Sequence, residues 1–234
     1  MRGAGDQRRW HGSEAGSPAG RGRVVSALFF FPRGGSAQVA RAFARALPAV
    51  GWQTTLAAGS LGRQSEQTNA GSFFSGLQVH PVDYTPALEL PDPLAALLPF
   101  QPSYEDRPGA PDRVFATVDD AAYERLVTAW SGALVRAAAG EADLLHLHHL
   151  TPANEAAIRC FPSLPILGQL HGTELAFLRT VEAGPPAGWH YAAQWAERMR
   201  GWAQHCELVL VPPGAEAEAA LLPARAGSEV RQMS

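Results

Sequence analysis

Between Asp143 and Glu174 the chain runs Asp-Leu-Leu-His-Leu-His-His-Leu-Thr-Pro, then a short helical segment, then Leu-Pro-Ile-Leu-Gly-Gln-Leu-His-Gly-Thr-Glu. Each apolar run is too short for an ordinary helix, and histidines close both. Residues 144–150 and 164–170 therefore read as buried strands of a parallel sheet, joined by a helix over about 153–160. Open α/β sheets take ligands in the crevice beyond the carboxyl ends of their strands. His148, His149, His171, Gly172, Thr173 and Glu174 all fall on that edge, and the chemistry is expected there.

The flanking sequence repeats the strand-and-helix pattern. Val24 to Phe31 is a strongly apolar run and reads as the first central strand. Pro32-Arg33-Gly34-Gly35-Ser36 follows, and a helix then begins with Ser36 as its N-cap, Val39, Phe43 and Leu47 inward, and Arg41 and Arg45 outward. Strand, Gly-Gly, helix is a geometry that offers backbone N–H groups to an anion, although a tight turn needing positive φ accounts for the same glycines. Trp52–Ala58, Leu77–Tyr84 and Leu208–Val211 read as further strands, and 61–74 as a loop. Asp119 opens a long helix with Tyr123, Leu126, Val127, Trp130 and Leu134 as its apolar stripe. A helix from about Trp189 to Gln204 buries Ala192, Trp195, Ala196, Met199 and Trp202, and a last one spans Ala215–Leu222. Prolines from Pro86 to Pro111 forbid a long helix, and that excursion reads as a surface or binding loop around Tyr104-Glu105-Asp106-Arg107. Six strand-like runs alternating with helices give an α/β fold: a Rossmann-like parallel sheet with helices on both faces. The expected domain spans 23–225, between a disordered tail at 1–22 and an irregular tail at 226–234.

Composition removes several function classes. A net charge of −3 offers no basic face for nucleic acid. All 19 basic residues are Arg. Without Lys there is neither a Walker-A loop nor Schiff-base chemistry. The glycine loop lacks the G-x-G-x-x-G fingerprint, which disfavours a nicotinamide enzyme, and a hydrolase is disfavoured because no G-x-S-x-G elbow occurs. No apolar run is long enough for a membrane span. Arg8-Arg9 is followed by a polar stretch rather than an export signal's apolar core, and Cys160 and Cys206 read as free buried thiols, so a cytoplasmic setting is expected. A zinc site on the histidines is the rival reading. His146 and His148 share one strand face while His149 points to the other, and no carboxylate is spaced as a companion ligand, so no metal site is assigned.

Three motifs in order, Phe31-Pro32-Arg33-Gly34-Gly35-Ser36, Leu-His-Leu-His-His-Leu-Thr-Pro at 145–152 and His-Gly-Thr-Glu at 171–174, resemble the N-terminal domain of family-4 GT-B glycosyltransferases. The helix at 195–203 and the Cys-Glu-Leu-Val-Leu-Val-Pro strand at 206–212 extend the resemblance over about 24–222. It implies transfer of a sugar from a nucleotide-activated donor to an acceptor hydroxyl, with retention and without a metal or resident cofactor. Gly34, Gly35 and Ser36 would lie near the donor diphosphate and acceptor. His171 would be the catalytic histidine, positioning the transferred sugar. His148, His149, Gly172, Thr173 and Glu174 would complete the binding edge. The resemblance also implies a second Rossmann domain with a Glu-x7-Glu motif that holds the nucleotide. The chain reaches only to Ser234, before such a domain, so it is expected to be inactive alone, its cleft face covered by that domain or by a partner chain.

Two other classes remain open at this level. A standalone sugar- or nucleotide-binding α/β module would keep the crevice without turnover. A partner-binding role would show as an exposed apolar patch on the face a second domain normally covers.

Overall fold

The computed structural model describes residues 22–95, 97–107, 112–215, 219–223 and 229–232. The tail expected to be disordered falls outside them except for Gly22, as do 216–218 of the last expected helix. Along the chain run β1 (Gly22–Leu28), α1 (Gly34–Ala46), β2 (Trp52–Ser60), α2 (Ala70–Phe73), β3 (Val79–Asp83) and α3 (Thr85–Leu88). After the proline-rich excursion come α4 (Asp120–Arg136), β4 (Leu144–His148), α5 (Pro152–Cys160) and β5 (Ile166–Gln169). Then follow α6 (Thr173–Ala183), α7 (Ala192–His205), β6 (Leu208–Val211) and β7 (Glu229–Gln232). The seven strands form one parallel sheet in the order β3-β2-β1-β4-β5-β6-β7. This is the expected Rossmann-like fold. The connections run outward from β1 toward β3 and then return across it to β4, so the order reverses between β1 and β4.

Alternation along the strands divides the interior into two layers. Val25, Ala27, Leu145, Leu147 and Ile166 face a large core that also takes in the buried faces of α4, α5, α6 and α7. Leu28, Leu56 and Ala58 face a smaller one beneath α1 and α2. Helices thus cover both sides, and the stripes expected for α4 and α7 are the buried ones.

Asp119 caps α4 by accepting the Ala122 N–H at 2.8 Å. Asp119→Ala is expected to cost about 1 kcal/mol, read as a lowered midpoint in urea denaturation.

Five local expectations are corrected. Residues 229–232, expected to be irregular, add a seventh strand that pairs with β6; an edge strand can be recruited by ladder hydrogen bonds without a strongly apolar sequence. Arg33, not Ser36, is the N-cap of α1, and Ser36 lies within its first turn. That helix packs through Ala37, Ala40 and Ala44 rather than Val39, Phe43 and Leu47. The small residues let it approach the sheet closely. A four-residue helix, α2, interrupts the loop expected over 61–74, its N–H of Ser72 accepted by Asn69. Cys206 is buried, and burial pushes its thiol up to about 12, but Cys160 is exposed.

Candidate functional site

The strand ends beside the order reversal open into a pocket of about 600 Å3. Phe30 reaches it from beyond β1, His149 from beyond β4, Leu170 and His171 from beyond β5, and Pro212 from beyond β6. The N-terminus of α1 (Arg33, Gly34, Gly35, Ser36, Val39) forms one wall and Ser103–Arg107 another. Thr173, the first residue of α6, contributes the remaining corner. A crevice at this place is where open α/β sheets hold ligands.

The wall made by α1 suits an anion. Its N-cap makes no side-chain hydrogen bond to the first turn, which also carries no acidic residue. The leading amides therefore keep the partial positive charge of a helix N-terminus. Gly34 takes φ +68°, a left-handed conformation that glycine adopts at little cost. A Cβ built on Gly34 or Gly35 would meet nothing within 4 Å, so the backbone there faces open space. Two guanidiniums flank it: Arg33 and Arg107 both bond the Asp112 carboxylate, Arg33 at 3.4 Å. Arg33 also stacks over the Phe31 ring at 4.8 Å.

Specific hydrogen bonds hold the second wall in place. The Phe31 N–H donates to Gln101 Oε1 at 2.8 Å, tying the chain after β1 to the proline-rich excursion. Ser103 and Val114 form a short bridge, with the Ser103 N–H bonded to the Arg113 carbonyl at 2.8 Å. Tyr104 donates its hydroxyl to the Leu150 carbonyl at 2.8 Å. Burial, and then the nearby Glu174 charge, raise its pKa well above the ordinary phenol value, so the donor is permanent.

Beneath the pocket lies a buried layer of histidines. Ser26, His146, His148 and Gln169 share the α1 face of the sheet, with Ser26 opposite His146 and His148 opposite Gln169. His146 Nε2 and Gln169 Oε1 are 2.7 Å apart, and Phe43 meets the His146 ring edge-on at 5.4 Å. His148 Nδ1 stands 3.1 Å from His171 Nε2. His149 leaves the strand in a left-handed conformation, φ +68°, which swings its ring to within 4.4 Å of the His171 ring. His148 and His149 point apart along the strand, yet both meet His171. Burial, and secondarily the neighbouring histidines, push the pKa of His171 down to about 3 and that of His148 well below the usual imidazole value. Burial lowers His146 to about 4 despite its Gln169 bond. These three rings are neutral at pH 7.

Glu174 is fully buried in the first turn of α6, and its ion-pair partner among the described residues is His149 rather than an Arg. Its carboxylate instead accepts the His171 N–H at 3.0 Å, the Thr173 hydroxyl at 3.2 Å and His149 Nδ1 at 3.3 Å. Burial alone would raise its pKa; the electrostatic pull and hydrogen bond of the adjacent His149 ring, with His171, outweigh it and hold the group down at about 2.

Of the residues singled out in the sequence, Gly34, Gly35, Ser36, His149, His171 and Thr173 line one pocket. His148 and Glu174 do not: each is buried and supports a lining histidine from behind. Gly172, at φ +97°, faces a smaller hollow with Leu175 and Arg179. Sequence reasoning passed over Phe30, Leu170 and Pro212, whose apolar character marks core as readily as pocket. Arg33 and Arg107 were visible as motif and loop residues, but only their shared Asp112 brings them together. Among the described residues, no group of three or more His, Cys, Asp or Glu is placed to hold a metal ion.

No family model and no curated protein matches the chain. Solved structures do. UGT73P12 of Glycyrrhiza uralensis, complexed with glycyrrhetinic acid 3-O-monoglucuronide, is 11% identical with a TM-score of 0.49, the likeness covering 91% of this chain and 48% of that one. The spinosyn forosaminyltransferase SpnP is 14% identical with a TM-score of 0.44, covering 91% of this chain and 50% of that one. The chain thus spans about half the length of the structures it matches. Likeness this distant assigns no residue of the chain a role, and the site stands on its own geometry.

Proposed function

We propose that the pocket is the acceptor-side half of a glycosyl-transfer site of the family-4 GT-B kind. One observation carries the reading. A single crevice joins an uncapped helix N-terminus flanked by Arg33 and Arg107 to the imidazoles of His149 and a neutral His171. The first suits the diphosphate of a nucleotide-activated sugar, and the second suits sugar hydroxyls. In this reading the Gly34 and Gly35 amides approach the donor phosphates, and Ser36, His149, His171 and Thr173 contact the acceptor or the transferred sugar. His148 and Glu174 hold the histidines in place, and Gly172 shapes the turn into α6.

The proposal includes retention at the anomeric carbon and no requirement for a metal or resident cofactor. It also includes a second, nucleotide-holding domain facing this edge, in the same protein or on a partner chain, without which these residues bind but do not turn over. Free thiols at Cys160 and Cys206 support a reducing, cytoplasmic setting. No described helix is long and apolar enough to cross a membrane.

Calorimetric titration of the full chain with UDP-, TDP- and GDP-hexoses in EDTA, alongside transfer of labelled sugar to methyl glycosides, tests the reading. Binding of at least one nucleotide sugar is expected, lost in Gly35→Val, whose side chain would fill the open space before α1. Any product formed should keep the donor's anomeric configuration. Failure of the folded chain to bind any of them would overturn the proposal. Binding without transfer, even when a donor-binding domain is supplied, would leave a standalone binding module.

A further inference from the structure

Three observations at His149 are not explained by packing. It is one of two described non-glycine residues with positive φ, a strained conformation that persists only where the surroundings enforce it. It lines the pocket while only 4% exposed. Its Nε2 is buried without a hydrogen-bond partner, although its Nδ1 lies beside Glu174.

A carboxylate only accepts, so the hydrogen between His149 and Glu174 must sit on Nδ1. In the neutral ring, Nε2 is then a bare lone pair. His171 cannot offer the same nitrogen, because His148 Nδ1 stands 3.1 Å from its Nε2. At this left-handed turn beyond β4 the His149 ring sits with Nδ1 beside Glu174. Strain, carboxylate and orphan nitrogen thus converge on one tautomer.

We propose that Glu174 fixes His149 as the Nδ1–H tautomer, making His149 Nε2 the pocket's acceptor for a hydroxyl hydrogen of the ligand. The assignment rests on the glycosyl-transfer reading only for the identity of that hydroxyl, which belongs to a sugar. Glu174 is a positioning residue and His149 a binding residue. The ligand class follows from the two ends of the pocket: an anionic group at Arg33, Arg107 and the α1 amides, and a hydroxyl donor at His149. An ether in place of that hydroxyl leaves the buried nitrogen unpaired, the situation in which polar sites discriminate most strongly.

Two-bond 1H–15N correlation of the full chain labelled with 15N-histidine at pH 7 reads the tautomer directly. His149 is expected with Nδ1 protonated and Nε2 bare, and Glu174→Gln, which can also donate, should mix or reverse the two forms. Methyl glycosides should shift the Nε2 resonance, and their per-O-methyl ethers should not. A wild-type His149 with hydrogen on Nε2 would overturn the assignment without recourse to any variant that might fold poorly. Equal shifts from glycosides and ethers would overturn its ligand class. The Nδ1–H form present, with Glu174→Gln changing it but no glycoside bound, would support the tautomer assignment and count instead against glycosyl transfer.

Discussion

Lowering the pH from 7 to 4.5 is expected to remove several kcal/mol of stability, well before most carboxylates titrate. His146 and His171 have folded-state pKa values of about 4 and about 3, and that of His148 is also lowered, chiefly by burial. In the unfolded chain the same side chains titrate near 6.5. Above that pH both states are neutral and the shift contributes nothing. Below it the unfolded chain binds protons that the folded chain refuses, so stability falls as pH falls until the folded values are reached. His146 and His171 each cost roughly 2 kcal/mol by pH 5 at about 1.4 kcal/mol per pH unit, a large part of the stability of an ordinary domain, and His148 acts in the same direction. Glu174 acts in a lower window. Its depressed value of about 2 gives stability that is present above the unfolded carboxyl range and is lost as pH falls toward 2. Urea midpoints measured at constant ionic strength from pH 7 to 4.5 should therefore drop steeply, and His148→Gln should flatten the drop. Midpoints unchanged to pH 4.5 would contradict a buried, neutral histidine layer.

Trp130→Ala is expected to destabilise the protein by about 3–5 kcal/mol, the range for emptying a packed indole site. Trp130 is fully buried and stacks on Phe29 with ring centroids 5.4 Å apart. Its Nε1–H donates to the Tyr84 hydroxyl at 3.0 Å, and that hydroxyl donates to the Phe29 carbonyl at 2.8 Å. The three side chains brace the end of β1 one residue before Phe30 enters the pocket. Trp130→Phe keeps much of the stacking area and should cost far less than the alanine change. Tyr84→Phe leaves both the Phe29 carbonyl and the Trp130 Nε1 without this partner, so a loss of about 1–3 kcal/mol for each stranded group is expected. Chemical denaturation of the three variants separates cavity from hydrogen bond. Equal costs for Trp130→Ala and Trp130→Phe would refute the stacking contribution.

The sheet was legible because parallel strands buried on both faces read as short apolar runs, and Leu208–Val211 emerges with the bounds expected. β7 was not legible, since three of the four residues of Glu229–Gln232 are polar and the strand is owed to pairing with β6. In α1 the three larger apolar side chains at i, i+4 and i+8 outweighed the alanines in the reading, whereas closeness to the sheet favours the alanines. Helix α6 was passed over because histidine and glycine precede it, threonine opens it, and the run drew attention to chemistry rather than to a helix start. The site divides in the same way. Which residues reach the strand-end edge follows from strand position alone. Which of them face a ligand and which stand behind depends on the left-handed turn at His149 and on the buried carboxylate of Glu174. Neither has a signature in residue spacing.

Mapping a bound nucleotide sugar onto the full chain by amide NMR tests most directly that the pocket beside the β1–β4 reversal is the functional site. With UDP-glucose, TDP-glucose and GDP-mannose as probes, shifts should concentrate at 33–36, 103–107, 149 and 170–173. Shifts centred elsewhere, or none with any of the three on a folded chain, would contradict a glycosyl-transfer site at this edge.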